Sequence, residues 1–187
     1  MEYFFNDVNV MQTVLRDNDG TGISLEHAAT LISSRFAFTS IETVQQALYA
    51  LFDLELHGPE AQNVSRGLIT TTELFHSISA KALPLLVRDP NTAFQHRFHH
   101  LIQYGGKYYA YLVARSSANL IWNSVFRADP FNRQNGLKWA EVQSHGGGFP
   151  PNVLLKSILG YSPTPSHLIK ALKEEAANVS CLGAVNI

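Results

Sequence analysis

Three of the four tyrosines in residues 100–111, together with His100, are residues that could do chemistry. Tyr108 and Tyr111 are three residues apart, a spacing that places both on one face if this stretch is helical. Tyr104 lies just upstream of them. Phenol hydroxyls and an imidazole can donate hydrogen bonds to a peptide carbonyl or to an oxyanion. This group of residues is therefore a candidate site for binding a peptide or stabilising a transition state.

Two glycines, Gly105 and Gly106, separate Tyr104 from the tyrosines that follow. A glycine pair permits backbone geometry that is closed to other residues. The tyrosines also have a purely structural explanation, because tyrosines on a helix commonly pack against the protein and keep their hydroxyls at the surface. The residue types alone leave both interpretations open.

Metal binding by the histidines of this sequence is not expected. His99 and His100 are adjacent and so point in different directions, and no carboxylate or cysteine lies at a useful spacing. The sequence contains no His-Glu-x-x-His, since Glu26 and His27 are followed by alanines. The glycines after His145 suggest an esterase oxyanion loop, but no Gly-x-Ser-x-Gly accompanies them. A connection between two helices is the better interpretation of that stretch.

The composition excludes several classes of partner. The 187 residues are 45% hydrophobic and 16% charged, as in ordinary globular proteins, and the net charge of −1 does not favour nucleic acid. No stretch approaches the roughly 18 apolar residues of a membrane span. The single cysteine, Cys181, excludes an intramolecular disulfide. Glu2 and Asp7 argue against a targeting peptide at the start. We expect neither nucleic acid nor a membrane as a partner.

The elements that must position these residues are predicted to be helices, because apolar residues recur at helical spacing and no strand alternation is found. The expected helices cover residues 2–16, 24–36, 41–56, 70–83, 107–127, 137–143, 151–159 and 166–177. In the third of them, Val44, Leu48, Leu51 and either Leu54 or Leu56 are expected to face inward. The sequence therefore predicts an all-α chain: one helical region over residues 1–187, with a divergent tail over 171–187.

The run from Ala93 to Gly148 resembles the C-terminal catalytic region of the thimet oligopeptidase family of zinc metallopeptidases. It carries His-Leu, a tyrosine in a short turn, Tyr-Tyr-x-Tyr-Leu, a long helix and a late Gly-Gly. The stretches Asp129–Arg133 and His145–Gly148 are more similar to the mitochondrial member of the family than to its cytosolic members. The resemblance covers about residues 1–165 and is most specific over 94–148.

The resemblance implies a fold and a cofactor. The chain would be the C-terminal helical part of a zincin-type catalytic domain. In the family, two histidines of His-Glu-x-x-His and a downstream glutamate hold a zinc ion, and the glutamate between the histidines is the general base. None of these residues has a matching position here. Zinc is therefore expected in the full-length family, and no metal ligand is expected in this chain alone.

The resemblance also implies roles for the central residues. Tyr111 would donate its hydroxyl to the oxyanion of the tetrahedral intermediate. Tyr108 and His100 would support that role or bind the substrate backbone. The loop that closes over the peptide would contain Tyr104, Gly105 and Gly106.

The function implied by the resemblance is metalloendopeptidase activity: removal of presequence peptides from precursors imported into the mitochondrial matrix. By itself the chain is expected to be inactive, with the missing N-terminal part of the peptidase as its partner and a peptide as its substrate. A different class of function remains open, namely a non-catalytic helical module that binds peptides or another chain.

Overall fold

The computed structural model describes residues 2–182, with the side chains of residues 2–177. Its described part contains ten α-helices, in the order α1 Val8–Val14, α2 Leu25–Phe36, α3 Thr39–His57, α4 Ala61–Ser65, α5 Thr71–Ala82, α6 His100–Gln103, α7 Ala110–Ile121, α8 Arg133–Ser144, α9 Pro151–Leu159 and α10 Pro165–Leu182. Short 3-10 turns cover Phe4–Asn6 and Phe94–Arg97, and a π-helical turn covers Trp122–Phe126. The same residues contain no strand, only an isolated bridge between Arg16 and Gly22. The predicted all-α fold class is confirmed.

The chain divides into two compact units. The first unit combines residues 1–39 with residues 115–187, and the second consists of residues 40–114. The single helical region expected over 1–187 stays a prediction. Within residues 171–187, the tail that is expected to diverge, α10 continues to Leu182. Residues 183–187 and the side chain of Cys181 lie outside the part that the structure describes.

The core of the second unit is built by α3 and α5. Phe52 and Phe75 are fully buried, and their rings meet edge to face with centroids 5.1 Å apart. Leu48 is buried and Leu56 packs against this core, both as expected. Val44 and Leu51, also expected to face inward, are 36% and 47% exposed, and the alternative Leu54 is 43% exposed. The expectation was wrong because the large aromatic side chains of this helix, which gain most from burial, define its inner face.

Helix α5 begins with a complete capping box. The Thr70 hydroxyl accepts the backbone N–H of Glu73, and the Glu73 carboxylate accepts the backbone N–H of Thr70. These bonds satisfy donors at the helix terminus that have no partner within the helix. The helix predicted over 70–83 is therefore observed with a defined start.

In the first unit, the helix predicted over 2–16 is interrupted at Asp7. The Asp7 carboxylate accepts the backbone N–H of Val10 and so acts as the N-cap of α1. This extended residue separates the 3-10 turn from α1. Met11 then packs into a small core with Ala28 and Ile32 of α2.

Three groups link the N-terminal stretch to α7 and α10 in the first unit. The Tyr3 hydroxyl lies 3.2 Å from a carboxylate oxygen of Glu175 and donates to it, and Nε of Arg115 donates to the other oxygen at 3.0 Å. Burial and the nearby charge of Glu175 raise the pKa of Tyr3 far above its usual value. Burial by itself would lower the pKa of Arg115, but the hydrogen bond and charge of Glu175 raise it. Tyr3 and Arg115 therefore keep their neutral-pH protonation states.

Two further boundaries differ from the prediction. The helix expected over 107–127 begins only at Ala110 and changes to the π-helical turn at Trp122. Helix α8 begins at Arg133 rather than at 137, because the side chain of Asn132 caps it by accepting the N–H of Asn135. Among residues 2–182, no helix combines the length and apolar character needed to cross a membrane.

Candidate functional site

The residues singled out from the sequence meet in the second unit. His100 opens α6, Tyr104 and Tyr108 lie in the turn of residues 104–109 (hereafter the glycine turn), and Tyr111 lies in the first turn of α7. The ring centroid of His100 lies 6.2 Å from that of Tyr104, 5.6 Å from that of Tyr108 and 5.8 Å from that of Tyr111. The three tyrosines therefore surround the imidazole of His100, and these four residues are hereafter the tyrosine cluster.

The polar contact within the tyrosine cluster joins His100 to Tyr111. Nε2 of His100 lies 3.1 Å from the Tyr111 hydroxyl oxygen. With its proton on Nε2, the imidazole donates to that oxygen, and the hydrogen of Tyr111 stays available for another acceptor. The Tyr111 side chain is 53% exposed, so an external ligand can reach this hydroxyl.

Tyr108 is held differently. It is only 7% exposed, and its hydroxyl donates a 2.7 Å hydrogen bond to the side-chain carbonyl of Gln46. Its ring meets those of Phe98 and Tyr49 at centroid distances of 5.1 and 5.9 Å. Burial raises the pKa of the Tyr108 hydroxyl, so it stays protonated at neutral pH. Tyr108 therefore lies on the buried side of the tyrosine cluster, and the exposed tyrosines of the cluster are Tyr104 and Tyr111.

Tyr108 does not share a helical face with Tyr111, because α7 has not yet begun at this point. The backbone N–H of Tyr108 donates to one carboxylate oxygen of Asp53 at 2.9 Å, and the N–H of Gly106 donates to the other at 2.9 Å. Gly106 has a φ of +71°, a left-handed conformation that glycine adopts without strain. The carboxylate of Asp53 thus holds these amides in a turn, and the helical stretch begins after it.

Gly105 lies against His57. The nearest side-chain atom to a Cβ built on Gly105 would be Nε2 of His57, at 2.5 Å. On the other side of the imidazole, Nδ1 lies 3.0 Å from the Asp53 carboxylate and 2.9 Å from the backbone carbonyl of Asp53. Gly106 is therefore favoured by its φ, and Gly105 by the close approach of the His57 ring, which would have to shift to admit a Cβ.

Sequence analysis missed Gln46, Asp53 and His57, which all belong to α3. The signal that could have drawn attention to them is the pair of Asp53 and His57, an acid and a histidine four residues apart in the C-terminal half of the helix. Nothing in the local sequence indicates that this pair would face the glycine turn.

A catalytic zinc site in a protein uses three side-chain ligands. In the part of the chain that the structure describes, no group of three or more His, Cys, Asp or Glu side chains is arranged to hold a metal ion. The pair of Asp53 and His57 supplies only two such groups, and Asp53 already accepts two backbone amides. The residues present do not fit the ion, and zinc is assigned to none of them.

Comparison with known proteins identifies the family. The sequence model of peptidase family M3 matches residues 1–174. The mitochondrial intermediate peptidase of Mus musculus is 36% identical over 177 residues, which cover 92% of this chain and 24% of that protein. The Homo sapiens protein of the same name is 34% identical over 176 residues, with the same coverage of 92% and 24%. The mitochondrial intermediate peptidase of Pleurotus djamor is 37% identical over 121 residues, 64% of this chain and 15% of that protein.

No solved structure gives a significant match. The chain spans about a quarter of the length of the mammalian relatives, since it covers 24% of each. The predicted resemblance to the thimet oligopeptidase family, and to its mitochondrial member, is confirmed by the extent and identity of these matches. The chain belongs to peptidase family M3.

Proposed function

We propose that this chain forms the substrate-binding and oxyanion-stabilising side of a peptidase active site. The enzyme would remove presequence peptides from precursors imported into the mitochondrial matrix. The observation that carries the proposal is the exposed Tyr111 hydroxyl at 3.1 Å from Nε2 of His100. The names of the relatives support a peptide substrate and a mitochondrial location.

The chemistry follows from the hydrogen bonds of the tyrosine cluster. Hydrolysis of a peptide bond passes through a tetrahedral intermediate whose oxygen carries negative charge. His100 donates to the Tyr111 oxygen, and Tyr111 directs its own hydrogen to the substrate oxygen. Tyr108, fixed by Gln46, keeps the two in place. Tyr104, which is 58% exposed, and the glycine turn would contact the peptide backbone.

The partner that we propose is the remaining part of the peptidase, because the chain corresponds to about a quarter of its relatives. In zinc peptidases the metal ion polarises the carbonyl and activates a water molecule. Those groups would lie on the partner, opposite the tyrosine cluster.

The experiment is a chimaera in which residues 1–174 replace the matched segment of the Mus musculus mitochondrial intermediate peptidase. Loss of one oxyanion donor typically lowers the rate by about 10² to 10³. We expect Tyr111→Phe to lower kcat by that factor on a presequence peptide, with little change in KM. The matched control is Tyr109→Phe, a 46% exposed tyrosine of the same turn that lies outside the tyrosine cluster. Equal kcat values for the two variants would contradict the proposal.

A second function, peptide binding without catalysis, is supported by the location of the tyrosine cluster within one compact unit. The tyrosine cluster and its supports on α3 all lie within residues 40–114. The chain could therefore bind a peptide without catalysing its hydrolysis. The chimaera and the isolated chain together distinguish the two functions. A chimaera that hydrolyses the presequence peptide, and loses kcat in Tyr111→Phe, supports the catalytic role. A chimaera that does not hydrolyse the peptide, while the isolated chain binds it, supports the binding module.

A further inference from the structure

The buried carboxylate of Asp53 has a position that packing alone does not explain. It is 1% exposed, yet it lies on α3 among apolar neighbours that include Leu48 and Phe52. Burial of a charged group is unfavourable unless its hydrogen-bonding capacity is used. Here both carboxylate oxygens accept backbone N–H groups, and both donors belong to the glycine turn.

The two amides are separated by one residue, so the carboxylate fixes a specific backbone conformation. Oδ1 accepts the N–H of Gly106 and Oδ2 accepts that of Tyr108, each at 2.9 Å. Hydrogen bonds to an ionised acceptor are stronger and more directional than neutral ones. The position of the Tyr108 backbone sets where its ring lies, and this ring meets that of Tyr111 at a centroid distance of 5.1 Å.

His57 completes the arrangement from the same helix. Its Nδ1 side contacts Asp53, and the opposite side of its ring occupies the space that a Cβ at position 105 would need. The imidazole side chain is 35% exposed, so the ring forms part of the surface next to the glycine turn. Helix α3 therefore fixes the glycine turn in two ways: Asp53 accepts hydrogen bonds from its backbone, and His57 contacts Gly105.

We propose that Asp53 and His57 are positioning residues for the tyrosine cluster. Asp53 fixes the glycine turn through its two amides, and His57 fixes the approach of Gly105. Neither touches the substrate; both act through Tyr108 and the turn. The measurement of peptide affinity rests on the proposed function. The conformation of the glycine turn does not, because it can be observed without a peptide.

The first test uses the full 187-residue chain labelled with ¹⁵N. Asp53→Asn keeps the shape of the side chain but replaces one acceptor oxygen with a donor. We expect amide hydrogen exchange at Gly106 and Tyr108 to accelerate by about tenfold or more, while the amides of α5 keep their rates. Affinity for a fluorescein-labelled nonapeptide rich in Arg, Ser and Leu should fall by about tenfold. Glu42→Gln, an exposed substitution on the same helix, is the matched control and should change neither quantity.

Unchanged exchange at both amides in folded Asp53→Asn would overturn the inference. A purely structural role predicts faster exchange across the whole second unit, which would overturn it as well. If the wild-type chain does not bind the nonapeptide, the proposed peptide-binding function fails, while the exchange rates still decide the role of Asp53.

A second set of variants keeps the inference testable if Asp53→Asn does not fold. Gly105→Ala places a Cβ against the His57 ring, so it should shift the amide resonances of Gly106 and Tyr108 and weaken peptide binding. Adding His57→Ala removes the obstructing ring. The new Cβ then fills part of the space that the ring occupied, so the double variant should recover both the resonances and most of the affinity. His57→Ala alone leaves that space empty and should weaken peptide binding. A double variant no better than Gly105→Ala alone, or a Gly105→Ala protein identical to the wild type, would overturn the inference.

Discussion

The Tyr108 hydroxyl donates a 2.7 Å hydrogen bond to the side-chain carbonyl of Gln46. This bond joins the glycine turn to the N-terminal half of α3, as Asp53 joins it to the C-terminal half. Tyr111, by contrast, contacts His100 and is 53% exposed. Two tyrosines three residues apart therefore differ in environment: Tyr108 is buried and bonded to α3, whereas Tyr111 is half exposed.

Removal of the Tyr108 hydroxyl should destabilise the fold more than removal of the Tyr111 hydroxyl. Tyr108→Phe leaves the carbonyl of Gln46 without its donor, and we expect the free energy of unfolding to fall by about 0.5–1.5 kcal/mol. Tyr111→Phe removes an exposed hydroxyl and should change the free energy of unfolding by less than about 0.5 kcal/mol. Urea unfolding followed by circular dichroism measures both. Equal losses in the two variants would show that the assignment of roles is wrong.

The capping box of α5 gives a prediction in acid. The backbone N–H and hydroxyl of Thr70 both donate to Glu73, and these bonds lower the pKa of that carboxyl. Because the folded-state pKa is depressed, the stabilisation is present above the ordinary pKa of a glutamate and is lost as the pH falls below about 4. Thr70→Ala should cost about 1 kcal/mol at pH 7. Glu73→Gln should flatten the acid dependence of stability, measured by urea unfolding between pH 3 and pH 7; an unchanged slope would contradict the assignment.

The contact of Tyr3 with Glu175 gives a prediction in alkali. The pKa of Tyr3 is raised by burial and by the charge of Glu175. Above about pH 10 the unfolded chain releases the phenol proton while the folded chain retains it, so the free energy of unfolding falls as the pH rises. Tyr3→Phe should make this fall shallower, and burial of Tyr108, which also raises its pKa, accounts for part of the remainder. Unfolding at pH 8 and pH 11 provides the measurement; an identical fall in both proteins would refute the role of Tyr3.

The segment after α5 exposes apolar side chains and should promote self-association. Leu85 and Val87 are 94% and 95% exposed. Large exposed apolar patches commonly lead to association. Leu85→Ser combined with Val87→Ser should lower the apparent mass seen by light scattering at high concentration, with little change in the unfolding midpoint. Leu48→Ser, at a position only 1% exposed, should instead disrupt the fold. Unchanged scattering in the double variant would exclude this segment as the cause.

The helices could be predicted because their signals are local. Apolar spacing and caps lie within the segment that they organise, as at Ser24, whose side chain accepts the N–H of His27 at the start of α2. Boundaries were wrong where a side chain competed with the helix for backbone donors. Asp7 did so from within the predicted segment, and Asp53 did so from 53 and 55 residues upstream of its two donors. The cap at Asp7 could be predicted from the local sequence, whereas the contact of Asp53 with the glycine turn is evident only in the folded chain.

The same distinction applies to the candidate site. His100, Tyr104, Tyr108 and Tyr111 lie within a short stretch, so a single turn brings them together. Their grouping could be suggested from spacing and glycine content. The supports on α3 could not, because sequence periodicity does not reveal which face of α3 meets the glycine turn, and its expected inner face was misassigned.

The dependence of the glycine turn on α3 has a consequence for protein engineering. A designer who transfers residues 104–109 to another scaffold would move the aromatic side chains without the acceptor that shapes their backbone. The smallest transferable element is instead discontinuous: the turn together with the stretch of α3 from Gln46 to His57. Libraries built to test the proposed peptide binding should keep those α3 residues fixed and diversify Tyr104 and its exposed neighbours.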